Sequence, residues 1–284
     1  MFRFKEISKT PTVFTIHNAQ YKGLFQWTEQ HLLPEYDRQL NGWLDWDNCI
    51  HSLAAAVKLA DQVTTVSPNY MDEITENSGS LEYLFKSEAY KCQGVLNGID
   101  TNTWNPKTDP FLSNKRTAQW ASFKSKNKKE LCKKNGLKSK NPLIGFIGRF
   151  AIEKGVDLIA DAIELILDQD AKVSFVILGS GDKKMEQELL SLESKYPEVV
   201  SVLVMYNEQV AHEIYAACDF LMMPSRFEPC GLNQMYAMRY GTIPIVRSTG
   251  GLKDTVPDIK ENGNGIAYIH NSSEGLADAS ARSI

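Results

Sequence analysis

The chain has 284 residues, 43 % of them hydrophobic, enough to bury the core of one large or two modest domains. Its 31 basic and 35 acidic residues are spread along the sequence and leave a net charge of −4, so nucleic acid and anionic membranes are not expected partners and any anion site must be assembled locally. The five cysteines, Cys49, Cys92, Cys132, Cys218 and Cys230, are odd in number and lack C-x-x-C spacing, which argues against a disulfide framework or zinc knuckle and for reduced thiols in a cytoplasm.

The opening "MFRFKEISKTPT" has no signal-peptide core, and no later run nears the roughly 20 apolar residues of a spanning helix. "PTVFTIHNAQYKG" predicts a strand over 12–16 running into a polar loop, "DNCIHSLAAAVKLAD" a helix, and "QVTTVSP" a second strand. "PNYMDEITEN" reads as a helix capped by Ser67 with Pro68 in its first turn. Asp45 and Asp47 in "DWDN" resemble a metal-binding D-x-D, but no strand precedes them, and they read as cap and first-turn acids. "GVLNGID" adds a short strand and turn. The lysine-rich stretch 114–140 predicts a surface helix or linker, and the domain boundary is placed near its end, giving regions 1–140 and 141–284. The first region has too few strands to complete a sheet alone, so part of its apolar surface is expected to be uncovered.

From Asn141 onward short apolar runs alternate with helix-length amphipathic segments, the pattern of an α/β unit with a doubly wound parallel sheet. Strands are predicted over 143–149, 173–179, 199–205, 219–224 and 242–246, with helices near 155–168, 183–195, 208–217 and 231–240. Ligands of such a Rossmann-like unit gather at the carboxyl ends of its strands, so the loops there hold the candidates.

Arg149 and Lys154 in "GRFAIEKG" lie at a strand end and at the start of the next helix, where two cations suit a diphosphate; two solvated surface cations are the alternative. "STGGL" places Thr249, Gly250 and Gly251 where backbone N–H groups can meet a phosphate, or where a plain turn is needed. "GSGDK" at 179–183 lacks the third glycine of a dinucleotide fingerprint and follows the wrong strand, which disfavours an NAD-dependent oxidoreductase. Glu228 stands between a strand and a helix; it is either a capping acid or a carboxylate aimed at sugar hydroxyls or a developing positive centre. His17 and Tyr206 also follow strands; His17 is either a satisfied structural residue or open to catalytic use, and Tyr206 either an ordinary core or surface tyrosine or one that stacks on a planar base.

"SRFEPCGLNQMYAMRYGTIPIVRSTGGLKDTV" closely resembles the signature of the bacterial glycogen synthases and plant-type starch synthases, and "FTIHNAQYKGLF", "ADQVTTVSPNYMDEI", "GVLNGIDTNTWNP" and "IGRFAIEKGVDLI" resemble the family's other blocks in the same order. The resemblance implies a GT-B fold, two Rossmann-like domains facing across a cleft, and retaining transfer of glucose from ADP-glucose to the non-reducing-end 4-hydroxyl of an α-1,4-glucan such as glycogen or a maltooligosaccharide. It implies that Arg149 and Lys154 hold the diphosphate, that Glu228 contacts the glucose with the backbone of Cys230, Gly231 and Leu232 against it, and that Tyr206 faces the adenine. His17 would approach the sugar from the other domain with Asn97 on its side, and Thr249 to Gly251 would meet the distal phosphate. No metal and no cofactor are implied. The residues leave ADP-glucose against UDP-glucose open. The family's Lys-Thr-Gly-Gly-Leu loop and terminal helices have no counterpart here, so the chain is expected to be an internal portion of such an enzyme. The alternative is a catalytically inactive nucleotide-sugar or glucan-binding module.

Overall fold

In the first part of the chain the apolar runs pair across 29 to 49 positions of sequence, as with Val63↔Cys92 and Val13↔Gln62. The computed structural model describes residues 10–284, and the chain divides into two units between Asn97 and Gly98. The first unit contains β1 (Val13–Ile16), β2 (Leu24–Phe25), α1 (Asn41–Leu44), β3 (Asp45–Trp46), β4 (Cys49–His51), α2 (Ser52–Leu59), β5 (Gln62–Thr65), α3 (Pro68–Glu76), α4 (Glu82–Ser87) and β6 (Cys92–Gly94). Strands β1, β5 and β6 form a parallel sheet in that order, and β2, β4 and β3 a small antiparallel one. The fully buried Val57, Val63, Tyr70, Leu81 and Phe85 make the core, whereas Val13 on the edge strand β1 is 68 % exposed, in line with the expected uncovered apolar surface.

Ser67 caps α3 as expected, its hydroxyl accepting from the Tyr70 N–H, with Pro68 in the first turn. Asp45 and Asp47 do not open a helix. Asp45 belongs to β3 and accepts from Trp27 Nε1 at 2.7 Å, while Asp47 and Asn48, with φ of 54° and 59°, turn the β3–β4 hairpin. Two consecutive positive-φ residues are what a tight hairpin of the right twist requires, and Asp-Asn tolerates them. The helix starts later, at Ser52, with His51 as its cap.

The second unit contains α5 (Trp120–Lys134), β7 (Leu143–Ile147), α6 (Ile159–Leu167), β8 (Ser174–Gly179), α7 (Lys183–Lys195), β9 (Val200–Val204), α8 (Glu208–Ala217), β10 (Phe220–Met223), α9 (Asn233–Arg239), β11 (Ile243–Arg247), α10 (Gly250–Thr255), β12 (Ile266–Tyr268) and α11 (Ser273–Ala281). All six strands are parallel, in the order β12-β11-β10-β7-β8-β9. Successive strand residues point to opposite faces: Ile144, Phe175, Ile177 and Met222 pack with α6, α7 and α11 on one side, while Leu143, Val176, Leu178 and Leu221 pack on the other. The five anticipated strands are all present, and β12 joins them as a sixth, too short and too mixed in "IAY" to register as a run.

The segment 98–140, assigned from sequence to the first region, packs within the second unit. Leu112, Phe123 and Leu131 share a core cluster with Leu143, Ile214 and Leu221, because α5 is amphipathic enough to bury a narrow stripe against α8 despite its lysines. One consequence concerns acid stability at the far edge. Burial opposes ionisation of Asp258, but the Arg282 guanidinium at 2.7 Å and the amides of Lys260 and Ala267 outweigh it and hold the carboxyl down at about 2. A folded pKa below the unfolded value of about 3.9 stabilises fully above about pH 4 and progressively less as pH falls toward 2. In urea unfolding, the stability gap between the parent and Asp258→Asn is therefore expected to be largest near neutrality and to narrow between pH 4 and 2.

Candidate active site

The chain runs β7, β8, β9 outward in one direction and then returns to place β10 on the other side of β7, so the sheet has its topological switch point at β7 and β10. Loops leaving neighbouring strands in opposite directions open a crevice there. Arg149 follows β7, and the turn carrying Glu228 follows β10.

Between β7 and α6 the chain makes two short 3-10 turns, Ile152–Lys154 and Val156–Leu158, joined at Gly155 with φ 68°. A Cβ at Gly155 would stand 2.1 Å from the Pro224 carbonyl oxygen, so only glycine lets this loop reach the end of β10. The two loops are then tied together. The Arg226 and Phe227 N–H groups donate to the Glu153 carbonyl, and the Arg226 guanidinium grips the Asp157 carboxylate with both nitrogens, at 2.5 and 2.7 Å. Arg247 at the end of β11 donates to the carbonyls of Ser225 and Arg226, at 2.8 and 2.6 Å.

This scaffold brings Lys154 and Glu228 into contact. Lys154 Nζ lies 2.6 Å from Glu228 Oε2, which also accepts from Ser225 Oγ at 3.0 Å, and Glu228 is only 8 % exposed. The capping alternative for Glu228 therefore loses its basis: the carboxylate meets a lysine and a serine, and α9 starts at Asn233 with no side-chain cap. Cys230 is buried, Gly231 has φ 74°, and Leu232 ends the turn at the edge of solvent. Asn233 Nδ2 donates to the Ile147 carbonyl at 2.7 Å, pinning the start of α9 to the end of β7.

Thr249, Gly250 and Gly251 lie directly against the Glu228 turn. The Gly251 N–H donates to the Glu228 and Pro229 carbonyls at 3.0 and 3.2 Å, and Cβ atoms at Gly250 and Gly251 would come within 2.0 Å of the Glu228 carbonyl and 2.3 Å of the Cys230 carbonyl. The two glycines are thus used for close approach of one backbone to another. "GSGDK" has the same explanation: a Cβ at Gly179 would sit 1.9 Å from the Gly148 carbonyl, Gly181 bridges to Phe150, and Asp182 caps α7.

The carboxyl ends of β7, β8 and β9 border a cleft of about 660 Å³, lined among others by Arg149, Ser180, Tyr206, Asn207, Trp104 and Tyr236. Arg149 is exposed and ion-paired with Glu153, an arrangement that solvent makes weak and that a bound anion can displace. Tyr206 is 93 % exposed at the cleft and free to stack. The Lys154–Glu228 pair lies outside this lining, one residue beyond the Glu153 that Arg149 contacts, so cleft and ion pair adjoin through a single loop.

Sequence reasoning missed the wall of the cleft. Trp104 stacks between His212 and Tyr236, with ring centroids 4.1 and 3.7 Å away, and Asp109 beneath it bonds His212 Nδ1 at 2.6 Å and the Tyr240 hydroxyl. The unusual "DTNTWNPKTD" was the available signal, but nothing local says that its tryptophan folds onto helices more than a hundred residues later.

In the first unit, His17 is exposed directly after β1, and Asn97 lies three residues past β6, both at the carboxyl edge of the parallel sheet. The loop holding His17 is fixed by the Ala19 N–H donating to the Tyr70 hydroxyl at 2.7 Å; burial pushes that phenol up to about 12. No helix among the described residues is long and apolar enough to cross a membrane, and all five cysteines are free thiols.

Residues 127–284 match the family described as "Glycosyl transferases group 1", and residues 2–87 match "Starch synthase catalytic domain". The chain is similar to the glycogen synthase of Flavobacterium johnsoniae, 47 % identical over 269 residues that cover 94 % of this chain and 57 % of that protein. It is 42 % identical to the glycogen synthase of Rhodospirillum rubrum, covering 97 % of this chain and 58 % of that one. Among solved structures it is similar to the catalytic domain of starch synthase IV from Arabidopsis thaliana bound to ADP and acarbose, with TM-score 0.85, 36 % identity, and coverage of 95 % and 58 %. Sucrose-phosphate synthase from Thermosynechococcus elongatus, at 19 % identity and TM-score 0.59 over 95 % of this chain and 57 % of that one, shares the fold. The chain spans little more than half the length of these relatives. With its parallel sheets and these matches, the chain belongs to the group 1 glycosyl transferases of GT-B fold, and its sequence is similar to those of glycogen and starch synthases.

Proposed function

We propose that this chain handles the sugar donor in a retaining glucosyl transfer from ADP-glucose to the non-reducing-end 4-hydroxyl of an α-1,4-glucan. The observation that carries this reading is the partly buried Lys154–Glu228 pair at the switch point of the sheet, beside a cleft bordered by Arg149 and Tyr206. Departure of ADP leaves negative charge on the diphosphate and positive charge at the sugar carbon. Arg149 and Lys154 would neutralise the first, and Glu228 would hold the sugar hydroxyls and face the second. These fixed cations make a metal unnecessary in this reading, and no cofactor enters it. Tyr206 would stack on the adenine, and the starch synthase IV structure with bound ADP and acarbose supports a nucleotide and a glucan as the ligands. His17 and Asn97 would serve the sugar from the first unit. Thr249 to Gly251 would act through the turn they support. A cytoplasmic site of action is part of the same proposal and rests on the five cysteines, odd in number and without C-x-x-C spacing.

The test is ADP release from ADP-glucose in the presence of a maltooligosaccharide, alongside calorimetric ADP binding. Release with glucan extension is expected; absence of both binding and release overturns the proposal, and binding without transfer restricts the chain to donor binding. Tyr206→Ala is expected to weaken ADP by about 5- to 100-fold, the worth of one base–aromatic stack, with little change in the melting temperature. Unchanged ADP affinity would remove Tyr206 from the base site.

A further inference from the structure

Away from the cleft, Asn105, Pro106, Lys107, Arg116, Trp120 and Arg239 enclose a second depression of about 180 Å³. Three cations from three separate stretches of chain converge there, and none forms an ion pair with a carboxylate among the described residues. Convergent like charges repel, so such a cluster without acids is costly unless an anion joins it. Arg239 is already oriented, donating through Nε to the Trp104 carbonyl at 3.1 Å and through Nη2 to the Thr101 carbonyl at 3.4 Å. Arg116 is oriented too, its guanidinium 4.5 Å above the Trp120 ring.

Two further features add to the unmet donor capacity around this depression. Arg116 Nε is shut off from solvent with no hydrogen-bond partner among the described residues, and a buried donor left unmet is unfavourable. Trp120, which lines the depression, is the first residue of the 15-residue helix α5, whose cap residue Gln119 provides no side-chain bond. A group with several acceptor oxygens and two negative charges would neutralise the three converging cations at once.

We propose that this pocket binds a phosphoryl dianion, either free phosphate or the phosphate of a small monoester, at a site separate from the donor cleft. It is tested by calorimetric titration of the chain with inorganic phosphate, at constant ionic strength set with chloride and with saturating ADP filling the cleft. One saturable site is expected. Arg116→Gln should weaken it at least about tenfold and Lys107→Gln by several-fold, as loss of a charge-assisted hydrogen bond or of one unit charge requires. Lys107 is exposed, so Lys107→Gln keeps the test alive if Arg116→Gln does not fold. A parallel titration with glycerol phosphate separates the sources: tighter binding than phosphate assigns the site to a monoester, equal or weaker binding to free phosphate. Absence of saturation, equal affinity in the parent and both variants, or abolition of binding by ADP would each overturn the proposal, the last by placing the phosphate in the donor cleft.

Discussion

Replacing Glu228 with alanine is expected to lower ADP-glucose-dependent glucan extension by about 10²- to 10³-fold while leaving ADP affinity within about tenfold of the parent. The carboxylate is 8 % exposed, and its Oε2 accepts from both Lys154 at 2.6 Å and Ser225 at 3.0 Å. In the proposed reading its removal takes away the acid that would face the sugar, and it also takes away the anchor of the Lys154 ammonium, which would lie beside the diphosphate. Both losses act on the charge that develops during transfer, so they appear in turnover more than in binding. Glu228→Gln keeps the shape and the Ser225 bond without the charge, and should fall between the parent and alanine. The measurement is ADP release under saturating donor, with calorimetry for ADP. Turnover within about threefold of the parent in Glu228→Ala would remove this residue from the reaction.

Gly250→Ala should cost about 3 kcal/mol or more in stability, because φ at Gly250 is 46° and the added Cβ would lie 2.0 Å from the Glu228 carbonyl oxygen. Relief requires either the α10 turn or the Glu228 turn to move, and the Gly251 N–H bonds to the Glu228 and Pro229 carbonyls would stretch with it. Urea unfolding gives the stability, and the transfer assay gives the effect on the acid. A large loss of stability together with impaired transfer is the signature of glycines chosen for backbone contact. If ADP binding alone weakened and stability stayed within about 0.5 kcal/mol, the glycines would instead be there to admit a phosphate.

Most of the second unit's fold was legible in its sequence, since a parallel sheet buried on both faces leaves continuous apolar runs that few other structures produce. The ordered blocks around His17, Asn97, Arg149 and Glu228 also carried the family. Local turn chemistry was less legible: Asp45 and Asp47 look alike in sequence as helix cap or hairpin turn, and what separates them is whether β3 and β4 pair. The segment 98–140 misled for a related reason, because its lysines dominate its composition while a few residues such as Phe123 and Leu131 decide where it packs.

By itself, the sequence determined the α/β alternation, the strand-end positions of Arg149, Lys154, Tyr206 and Glu228, and membership of the glycosyl transferases. Only the tertiary structure decided that Glu228 faces Lys154 and Ser225, and that the two glycines of "STGGL" support the acid turn from behind. It alone placed Trp104 against His212 and Tyr236 as a wall of the cleft. Periodicity and turn propensity are properties of neighbouring residues and survive in one dimension. A carboxylate meeting an ammonium 74 positions away depends on strand order and loop closure, which are settled only when the sheet is assembled.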